Sequence, residues 1–411
     1  MGTSKLLEKL LKFEDLGIIG RVKKAISFTD EPKFPQWFCE PSKNRRNILE
    51  EQYGSSLSLD DETAKIKCIA EAIERYCSET ISKDSLVYNS YNYLESAIDP
   101  TQFINYDDFS LQNKKEQYLD KLRKAKLSWV KGKNLKTNEG ILVPAQLVYS
   151  PYDLSKESLI RTPISTGAAF GTDLESAINR GLLEIVERDS FMLTWLTKRD
   201  CPQIDLSSDK DLKNIKEYFE RYLLEPYVID LTTDLQIPSM MGILIDKTGI
   251  GPAVSAGLKT DLDAKKAVLN SLLEAQHVRG WIRYSYLRDG QIVINSKEQI
   301  RDLKSRGYYW YRLEKIKDLD FLLKNSNIKN LSKTTKLRDI SLISFILDLG
   351  LDIYTVDIST PQVKQNSFYV VKTISPQFHP LSLDEDLPYN YSERLKKYYK
   401  EGLNKEPHPF L

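Results

Sequence analysis

Three glutamates lie in a common sequence frame, and their side chains are the strongest candidates for chemistry in this chain. Glu71, Glu184 and Glu274 each follow an alanine by seven residues, within segments whose apolar residues recur at helical spacing. The first two are each followed three residues later by a second glutamate, Glu74 and Glu187. Residues three apart share one face of a helix, so each of these two helices can offer two carboxylates to one small volume.

Carboxylates gathered at one place repel each other unless a cation lies between them. Magnesium is the expected cation, because it prefers oxygen ligands and commonly joins carboxylates to phosphates. Arg75, Arg188 and Arg279 would then bind phosphate or hold the carboxylates in place. A second interpretation makes Glu71–Arg75 and Glu184–Arg188 ordinary surface pairs four residues apart, each contributing about 0.2–0.5 kcal/mol. The recurrence of the frame favours the first interpretation.

Other common catalytic patterns are missing from the sequence. There is no Walker or dinucleotide-binding glycine motif and no serine elbow. None of the four cysteines belongs to a C-x-x-C pair, so neither a zinc site nor a disulfide framework is indicated. The chain has only three histidines, which makes a His-rich metal site improbable. His277, in register with Glu274, is either a site residue or a packed helix residue.

Composition narrows the range of functions. The chain has 411 residues, of which 41% are hydrophobic and 28% charged, as expected for a globular protein with a large core. A formal net charge of +1 provides no bulk attraction to nucleic acid or to an anionic membrane. No secretory signal and no membrane-spanning segment is recognisable. We therefore expect a cytoplasmic protein without nucleic-acid or membrane partners.

Helix and strand signals alternate along the chain, which predicts an α/β or α+β fold. The second glutamate helix should run from about Leu174 to Trp195 with Asp173 as its N-cap, and Asp261 or Asp263 should cap the third. Apolar segments predict strands at 223–234, 239–247, 342–358 and 367–374.

Together these segments resemble the YcaO family, over residues 55–411. The resemblance rests on the glutamate helices and on PISTGAAFGTDLESAINRGLLEIVERDSFMLTWL, GPAVSAGLKTDLDAKKAVLNSLLEAQHVR and SFYVVKTISPQFHPL. The segment LSWVKGKNLKTNEGILVPAQLVYS and the ending PHPFL are similar to the subgroup that forms azolines in ribosomal peptides. The resemblance implies a YcaO-type fold of mixed sheets and helices with a carboxylate-lined ATP site at 55–411, preceded by a helical and connecting region at 1–54.

By this resemblance, magnesium would be bound by four carboxylates: Glu71, Glu74, Glu184 and Glu187. The ATP site would include these and six further side chains: Lys67, Arg75, Asn179, Arg188, Glu274 and Arg279. Pro407 and Pro409 would place the C-terminus near the reacting peptide, and Pro409 and Leu411 are the expected catalytic residues.

Three features depart from the family pattern. Ser55–Ser58 stand where a Gly-Lys-Gly-like turn is usual, and Lys67 stands where a serine is usual. Lys67 could contact phosphate or occlude the nucleotide. The chain ends in Leu411 where proline is commoner.

The function that the resemblance implies is ATP-dependent cyclodehydration of Cys, Ser or Thr in a ribosomal precursor peptide, giving thiazoline or oxazoline. The short N-terminal region has no obvious leader-binding domain, so a separate leader-binding protein is an expected partner, and a homodimer is common in the family. Two alternatives stay open. One is a YcaO-type enzyme that forms thioamides or amidines, and the other is a non-catalytic scaffold that binds a partner or peptide.

Overall fold

The computed structural model describes residues 2–42, 53–107, 110–331 and 341–411. Over this part of the chain, no helix combines the length and the apolar character needed to cross a bilayer. The helices, in chain order, are α1 (Thr3–Asp15), α2 (Asp61–Glu79), α3 (Lys115–Lys124), α4 (Leu174–Thr197), α5 (Lys210–Glu220), α6 (Ala264–Arg288), α7 (Leu303–Tyr309), α8 (Asp320–Leu323), α9 (Leu342–Asp348), α10 (Pro361–Gln365) and α11 (Glu393–Tyr398).

The described strands form three sheets. In chain order they are β1 (Val22–Lys24), β2 (Gln36–Cys39), β3 (Gly54–Leu57), β4 (Val87–Ser90), β5 (Lys126–Asn134), β6 (Gly140–Pro144), β7 (Ala168–Gly171), β8 (Gln203–Ile204), β9 (Leu224–Asp230), β10 (Ser239–Asp246), β11 (Val254–Thr260), β12 (Ile328–Lys329), β13 (Tyr354–Asp357) and β14 (Tyr369–Ile374). The sheet orders are β1-β2-β3, β11-β10-β9-β8-β12 and β4-β5-β13-β14-β7, with β6 on β5. The predicted fold of mixed sheets and helices is confirmed.

The strand order puts β3, β7 and β11 at the edges of their respective sheets. An edge strand has backbone N–H groups that no neighbouring strand accepts. Each of these three strands also packs against a glutamate helix: β3 and β7 against α2, β7 against α4, and β11 against α6. The three edges and the three helices therefore surround a common region.

All three glutamate helices begin at an aspartate cap, which the sequence analysis predicted for the second and third helices only. Asp60 accepts a hydrogen bond from the Thr63 amide before α2, and Asp263 caps α6 through the Lys265 amide. At α4, Asp173 and Ser176 form a reciprocal capping box. Helix α4 is nearly continuously buried in its second half, because it contacts both the β7–β14 sheet and the β10–β11 sheet.

Close packing fixes the position of α6 on its sheet. Gly242, in the middle of β10, lies against the backbone of α6, and a Cβ at this position would meet the Ser271 backbone carbon at 2.5 Å. Gly257 of β11 meets the backbone of the same helix at Ser271 and Ala275. A larger residue at either glycine would push α6, and with it Glu274, away from the sheet.

We expect Gly242→Ala to lower the free energy of unfolding by about 1–3 kcal/mol, because the added methyl group overlaps the α6 backbone. Gly140→Ala is the matched control, since a Cβ on that strand glycine meets nothing within 4 Å. Its effect should stay within about 0.5 kcal/mol. Urea denaturation of both variants measures the difference, and equal stabilities would contradict the close-packing argument.

The expected boundary at residue 54 falls inside a sheet. Strand β3 begins at Gly54 and pairs with β2, with Phe38 opposite Ser55. The N-terminal region thus shares backbone hydrogen bonds with the segment that carries the first glutamate helix. Residues 43–52 of the expected connecting region lie outside the described residues. The division into two parts stays a prediction.

One strand prediction was wrong. The apolar segment 342–358 was expected to be a strand, but its first half forms helix α9 and only Tyr354–Asp357 forms β13. Ser341 caps the helix, and Gly350 follows it in a left-handed conformation at φ 78°. Leu342 and Ile346, four residues apart, are buried, so a helical period was hidden within an almost uniformly apolar run.

Candidate active site

The carboxylates of α2 and α4 are held by backbone amides at two sheet edges. Glu71 accepts a hydrogen bond from the Ser55 amide of β3 at 2.8 Å. Glu74 accepts one from the Phe170 amide of β7 at 3.2 Å. Ser55 belongs to the segment that departs from the family's usual turn, and it meets Glu71 through its backbone. This contact is therefore independent of the side chain at position 55.

Glu184 of α4 follows the same pattern. It accepts a hydrogen bond at 3.0 Å from the amide of Gly167, one residue before β7. Gly167 has a φ of 87°, a backbone conformation that favours glycine. The amide donors for Glu74 and Glu184 therefore lie within four residues of each other, which brings the carboxylates of α2 and α4 to one sheet edge.

Two more carboxylates meet on β11. Glu187 accepts a hydrogen bond from the Thr260 amide at 2.6 Å, and Glu274 accepts one from the Leu258 amide at 3.0 Å. Amides two residues apart in a strand point to the same side. Helices α4 and α6 therefore place these carboxylates side by side along one free edge.

Arg188 joins the two carboxylates of α4. Its Nη2 lies 3.2 Å from Glu184 Oε1, and its Nη1 lies 3.2 Å from Glu187 Oε1. Burial disfavours the charged guanidinium, but Glu187, Glu184 and Glu274 outweigh this effect and raise the pKa of Arg188. The Arg188 side chain is 13% exposed, with Glu184 at 26% and Glu187 at 6%, so the arginine is largely desolvated and the surface-pair interpretation of Glu184–Arg188 is wrong. On α2 the Glu71–Arg75 pair is more exposed, with an oxygen-to-nitrogen distance of 2.8 Å.

Repulsion among the carboxylates is visible in their pKa values. Burial, with the charges of Glu184 and Glu71, raises the pKa of Glu74 well above its ordinary value. Burial and the charge of Glu187 raise the pKa of Glu274 to about 7. Bringing a cation near these groups would lower both pKa values. The site is thus arranged to gain from a bound cation.

The carboxylates do not form a complete metal cage. Across the described residues, no three acidic, histidine or cysteine side chains converge closely enough to bind a metal ion by themselves. This arrangement fits Mg²⁺ in a nucleotide complex, because such an ion is usually held by one or two carboxylates together with phosphates and waters. Glu71, Glu74, Glu184 and Glu187 as its ligands stay a prediction.

Positive side chains border the carboxylates. Lys259 lies 4.0 Å from Glu187, and the charges of Glu187, Glu274 and Glu184 raise its pKa despite burial. Lys67 is exposed and donates a hydrogen bond to Asn270 of α6 at 3.1 Å. Surrounding protein atoms and the charge of Lys259 lower the pKa of Lys67. The departure from serine at position 67 thus adds a cation beside the carboxylates.

Lys372 is a further cation that the sequence reasoning missed. It lies on β14, is 3% exposed, and donates a hydrogen bond to the Ile164 carbonyl at 2.7 Å. Burial lowers its pKa to about 8, while Glu184 and Glu74 act in the opposite direction. A single lysine within the apolar run of SFYVVKTI was the available signal for this residue.

Arg279 belongs to a different network from the other predicted ATP-site residues. Its guanidinium donates to Glu31 at 2.9 Å, to Asp246 at 2.8 Å and to the Pro252 carbonyl at 3.1 Å. It is 3% exposed, and Arg283 donates to the same Glu31. This network ties the N-terminal region to α6 and β10. A contact of Arg279 with the nucleotide stays a prediction that these hydrogen bonds do not favour.

The structure gives weaker support for a role in the site to two helix residues, Asn179 and His277. Asn179 of α4 has a buried side-chain oxygen that accepts no hydrogen bond, as expected of a group that awaits a ligand. His277 is half-buried, and burial lowers its pKa, with Glu71 and Arg75 as its charged neighbours. Only His277 is thus shown to have charged neighbours from the first glutamate helix, and the roles of both residues stay predictions.

The C-terminal residues lie along α4 and reach the ion pair. Trp195 donates a hydrogen bond to the Glu406 carbonyl at 2.9 Å, and residues 407–410 are buried. The Phe410 ring lies 4.2 Å from the Arg188 guanidinium, a cation–π contact that the sequence reasoning did not anticipate. Pro409 and Leu411 are the chain neighbours of Phe410, and their role as catalytic residues stays a prediction.

Residues 57–379 match the model of the YcaO family, described as YcaO cyclodehydratase, ATP- and Mg²⁺-binding. This match covers most of the chain, and the chain belongs to the YcaO family. The family prediction is confirmed, and the ATP and Mg²⁺ expected as cofactors agree with the family's description.

Solved structures show the same fold. A heterocyclase in complex with substrate and cofactor has a TM-score of 0.78 at 20% identity, covering 98% of this chain and 57% of the other. YcaO from Methanopyrus kandleri, bound with AMPPCP and Mg²⁺, has a TM-score of 0.69 at 16% identity and covers 96% and 95%. The Escherichia coli microcin synthetase McbBCD complex has a TM-score of 0.64 at 17% identity and covers 92% and 92%. At these identities the likeness shows the fold.

The chain spans about half the length of the curated relative that it matches. This relative, an uncharacterized protein of Methanothermobacter thermautotrophicus, is 28% identical over 221 residues, which are 53% of this chain and 54% of the relative.

The raised pKa of Glu274 predicts a pH-dependent stability. The pKa of a glutamate in an unfolded chain is about 4.3, whereas the pKa of Glu274 in the folded protein is about 7. The folded protein therefore binds more protons in this window, and the stability contributed by this group is lost as the pH rises toward about 7. This loss is on the order of 3–4 kcal/mol in the free energy of unfolding, and Glu274→Gln, which carries no charge, should not show it.

Urea denaturation without nucleotide, at several pH values between about 4.5 and 7.5, measures this effect. The exposed Glu217 of α5 provides the control variant Glu217→Gln, which should keep the wild-type pH profile. If Glu274→Gln and the wild type have parallel profiles, Glu274 is not the strained carboxyl that its surroundings indicate.

Proposed function

We propose that this protein is an ATP-dependent cyclodehydratase that converts Cys, Ser or Thr of a ribosomal precursor peptide into thiazoline or oxazoline. The observation that carries the proposal is the set of glutamates on α2, α4 and α6, fixed by edge-strand amides and joined by a buried arginine. Membership of the YcaO family and the fold shared with a heterocyclase complex support it.

In this proposal Glu71, Glu74, Glu184 and Glu187 hold magnesium and the triphosphate. Magnesium supplies positive charge to the phosphates and to the oxygen atoms between which the phosphoryl group moves. Each carboxylate has one oxygen on a backbone amide, so its orientation is set before any ligand arrives. Such preorganisation reduces the free-energy cost of binding.

The cationic side chains complete the nucleotide site. Lys67 and Lys259 are placed to meet anionic phosphate, since both border the carboxylates and part of each side chain is exposed. Arg75 and Arg188 hold carboxylates through ion pairs. Asn179 contacts the nucleotide through its side-chain oxygen, which accepts no hydrogen bond within the described residues. Glu274 contacts it through the carboxylate oxygen that does not accept the Leu258 amide. We therefore favour phosphate contact over occlusion as the role of Lys67.

The reaction is ring closure followed by loss of phosphate. The thiol or hydroxyl of the substrate residue attacks the preceding carbonyl carbon, forming a C–S or C–O bond and releasing its proton. The former carbonyl oxygen takes the γ-phosphoryl group of ATP, leaving ADP. Its C–O bond then breaks, orthophosphate departs, and loss of the N–H proton forms the C=N bond of the ring.

The C-terminal tail would position the reacting peptide. Pro409 and Leu411 flank Phe410, whose ring covers Arg188, so the end of the chain borders the carboxylates that hold the triphosphate. We propose that these two residues contact the substrate. Tail residues buried against α4 keep this arrangement in register.

A separate leader-binding protein is the proposed partner, by analogy with the microcin synthetase complex that shares the fold. The catalytic part is proposed to span residues 55–411. Residues 2–42 would then support it through the sheet formed by β1, β2 and β3.

Glu187→Gln should abolish the ATP-dependent product and leave the fold intact. The glutamine oxygen can still accept the Thr260 amide, but the negative charge that faces Arg188 and the nucleotide is lost. We expect turnover to fall by at least about 100-fold, as with other electrostatic groups at a reacting centre. Mass spectrometry of a precursor peptide with its leader-binding protein and Mg-ATP measures water loss.

Glu217→Gln is again the control, and it should react like the wild type. Normal turnover by Glu187→Gln would refute the site assignment. Replacement of amide oxygen by sulfur or nitrogen in place of water loss would favour the thioamide or amidine alternative. Absence of ATP consumption by the wild type with any partner would favour a scaffold.

Pro409→Ala tests the tail separately. If the tail positions the peptide, product formation should fall by about tenfold or more while ATP binding stays within about twofold of wild type, because no glutamate contact changes. Fluorescent-nucleotide titration and peptide mass spectrometry measure the two quantities. Unchanged product formation would exclude Pro409 from the reaction.

A further inference from the structure

A small, partly open cavity adjoins the proposed ATP site. Its volume is about 70 Å³, and it lies between α4, β14 and the segments around residues 146–147, 161–166 and 378–389. Arg188 and Lys372 form part of its wall on the side of the carboxylates, and Arg161 lines it as well. The cavity therefore connects the ion pair of α4 with a second, half-buried arginine.

The charged residues that line this cavity all carry positive charge. Three of its lining residues are cationic, namely Arg161, Arg188 and Lys372, and none of its lining residues within the described ranges is acidic. Arg188 and Lys372 are balanced by glutamates outside the cavity wall. Among the described residues, no carboxylate forms an ion pair with Arg161, and burial lowers its pKa to about 10.

One guanidinium nitrogen of Arg161 lacks a hydrogen-bond acceptor within the described residues. Its Nε donates to the Phe103 carbonyl at 2.7 Å and to the Asn105 side chain at 2.8 Å, both neutral acceptors. Its Nη2 is buried and has no hydrogen-bond partner. Arg188 likewise has a buried Nε without one. A buried guanidinium donor without an acceptor costs free energy unless a ligand in the cavity supplies one.

Two neutral side chains of the cavity wall already have other hydrogen-bond partners. The His379 ring is committed to Ser392 and to the Tyr389 carbonyl, and Gln146 is committed to the backbone of Ser158 and Ile160. These two side chains are therefore not available as acceptors, and a ligand in the cavity could supply one.

Size restricts the ligand to a small group. A buried water needs roughly 10–15 Å³ measured in this way, so a cavity of about 70 Å³ holds on the order of five non-hydrogen atoms. A tetrahedral oxyanion has that many, so its size matches the inner part of the cavity.

We propose that this cavity is an oxyanion subsite that binds the orthophosphate released from the peptide, with Arg161, Arg188 and Lys372 as its donors. The assignment rests on the proposed function, because that reaction forms orthophosphate beside Arg188. Arg161 holds the released anion apart from the carboxylates of α2 and α4. The same chemistry would accept a carboxylate of the substrate peptide, and the experiment separates these sources.

Calorimetric titration of sodium phosphate into the protein, without nucleotide and without magnesium, tests the subsite. Wild type should bind phosphate, and Arg161→Gln should weaken binding about tenfold or more, the loss expected for charge-assisted hydrogen bonds. Arg161→Lys, which keeps the charge, should recover part of the affinity. Arg199→Gln is the matched control, because Arg199 also donates to neutral groups but lies outside the cavity.

Nucleotide binding separates this proposal from the proposed function. Arg161→Gln should bind ATP within about twofold of wild type, because Arg161 contacts none of the glutamates. A loss of phosphate binding together with normal ATP binding supports the subsite. Phosphate binding that is unchanged in Arg161→Gln overturns it, whether or not the protein turns over ATP.

A crystal soak and a titration with acetate test the position of the anion and its chemical class. A wild-type crystal soaked in tungstate should show anomalous density within hydrogen-bond distance of Arg161, which tests the site even if the variants do not fold. Density only beside the glutamate helices, or none, overturns the proposal. Acetate that binds as tightly as phosphate and loses affinity equally in Arg161→Gln would assign the cavity to a peptide carboxylate and overturn the phosphate assignment.

Discussion

Hydrogen bonds from edge-strand amides to carboxylates hold the centre of this protein together. The glutamates of α2, α4 and α6 accept from β3, from β7 with the residue before it, and from β11. Each bond satisfies a donor that an edge strand would otherwise leave open, and it fixes the direction of a carboxylate. One interaction therefore closes the sheet edges and builds the acidic site.

The cost of gathering negative charge in this region is offset by cations from separate elements. Arg188 comes from the same helix as two of the glutamates, whereas Lys259 comes from β11 and Lys372 from β14. The pKa values of Glu74 and Glu274 stay raised despite these neighbours. The protein thus keeps an unsatisfied preference for additional positive charge, which agrees with a family that binds Mg²⁺ and ATP.

Buried ion pairs then hold the helices in place. Asp189, next to Arg188 on α4, is fully buried and pairs with Arg394 of α11 at 2.8 Å. Arg279 of α6 pairs with Glu31 from the N-terminal region at 2.9 Å. Removing one partner of such a pair leaves a buried charge and is strongly destabilising. The two ends of the chain are therefore coupled to the helices that carry the glutamates.

The sequence alone was enough to predict the glutamate helices, the aspartate caps of the second and third, and the family, because helical spacing and capping are local properties. It did not distinguish helix from strand in 342–358, where nearly every residue is apolar. Nor did it indicate that Arg279 binds Glu31, or that Phe410 and Lys372 border the site. Those contacts, like the amide donors at the sheet edges, join residues far apart in the chain. Only the packing of helices on sheets decides them, since a backbone amide has no sequence signature.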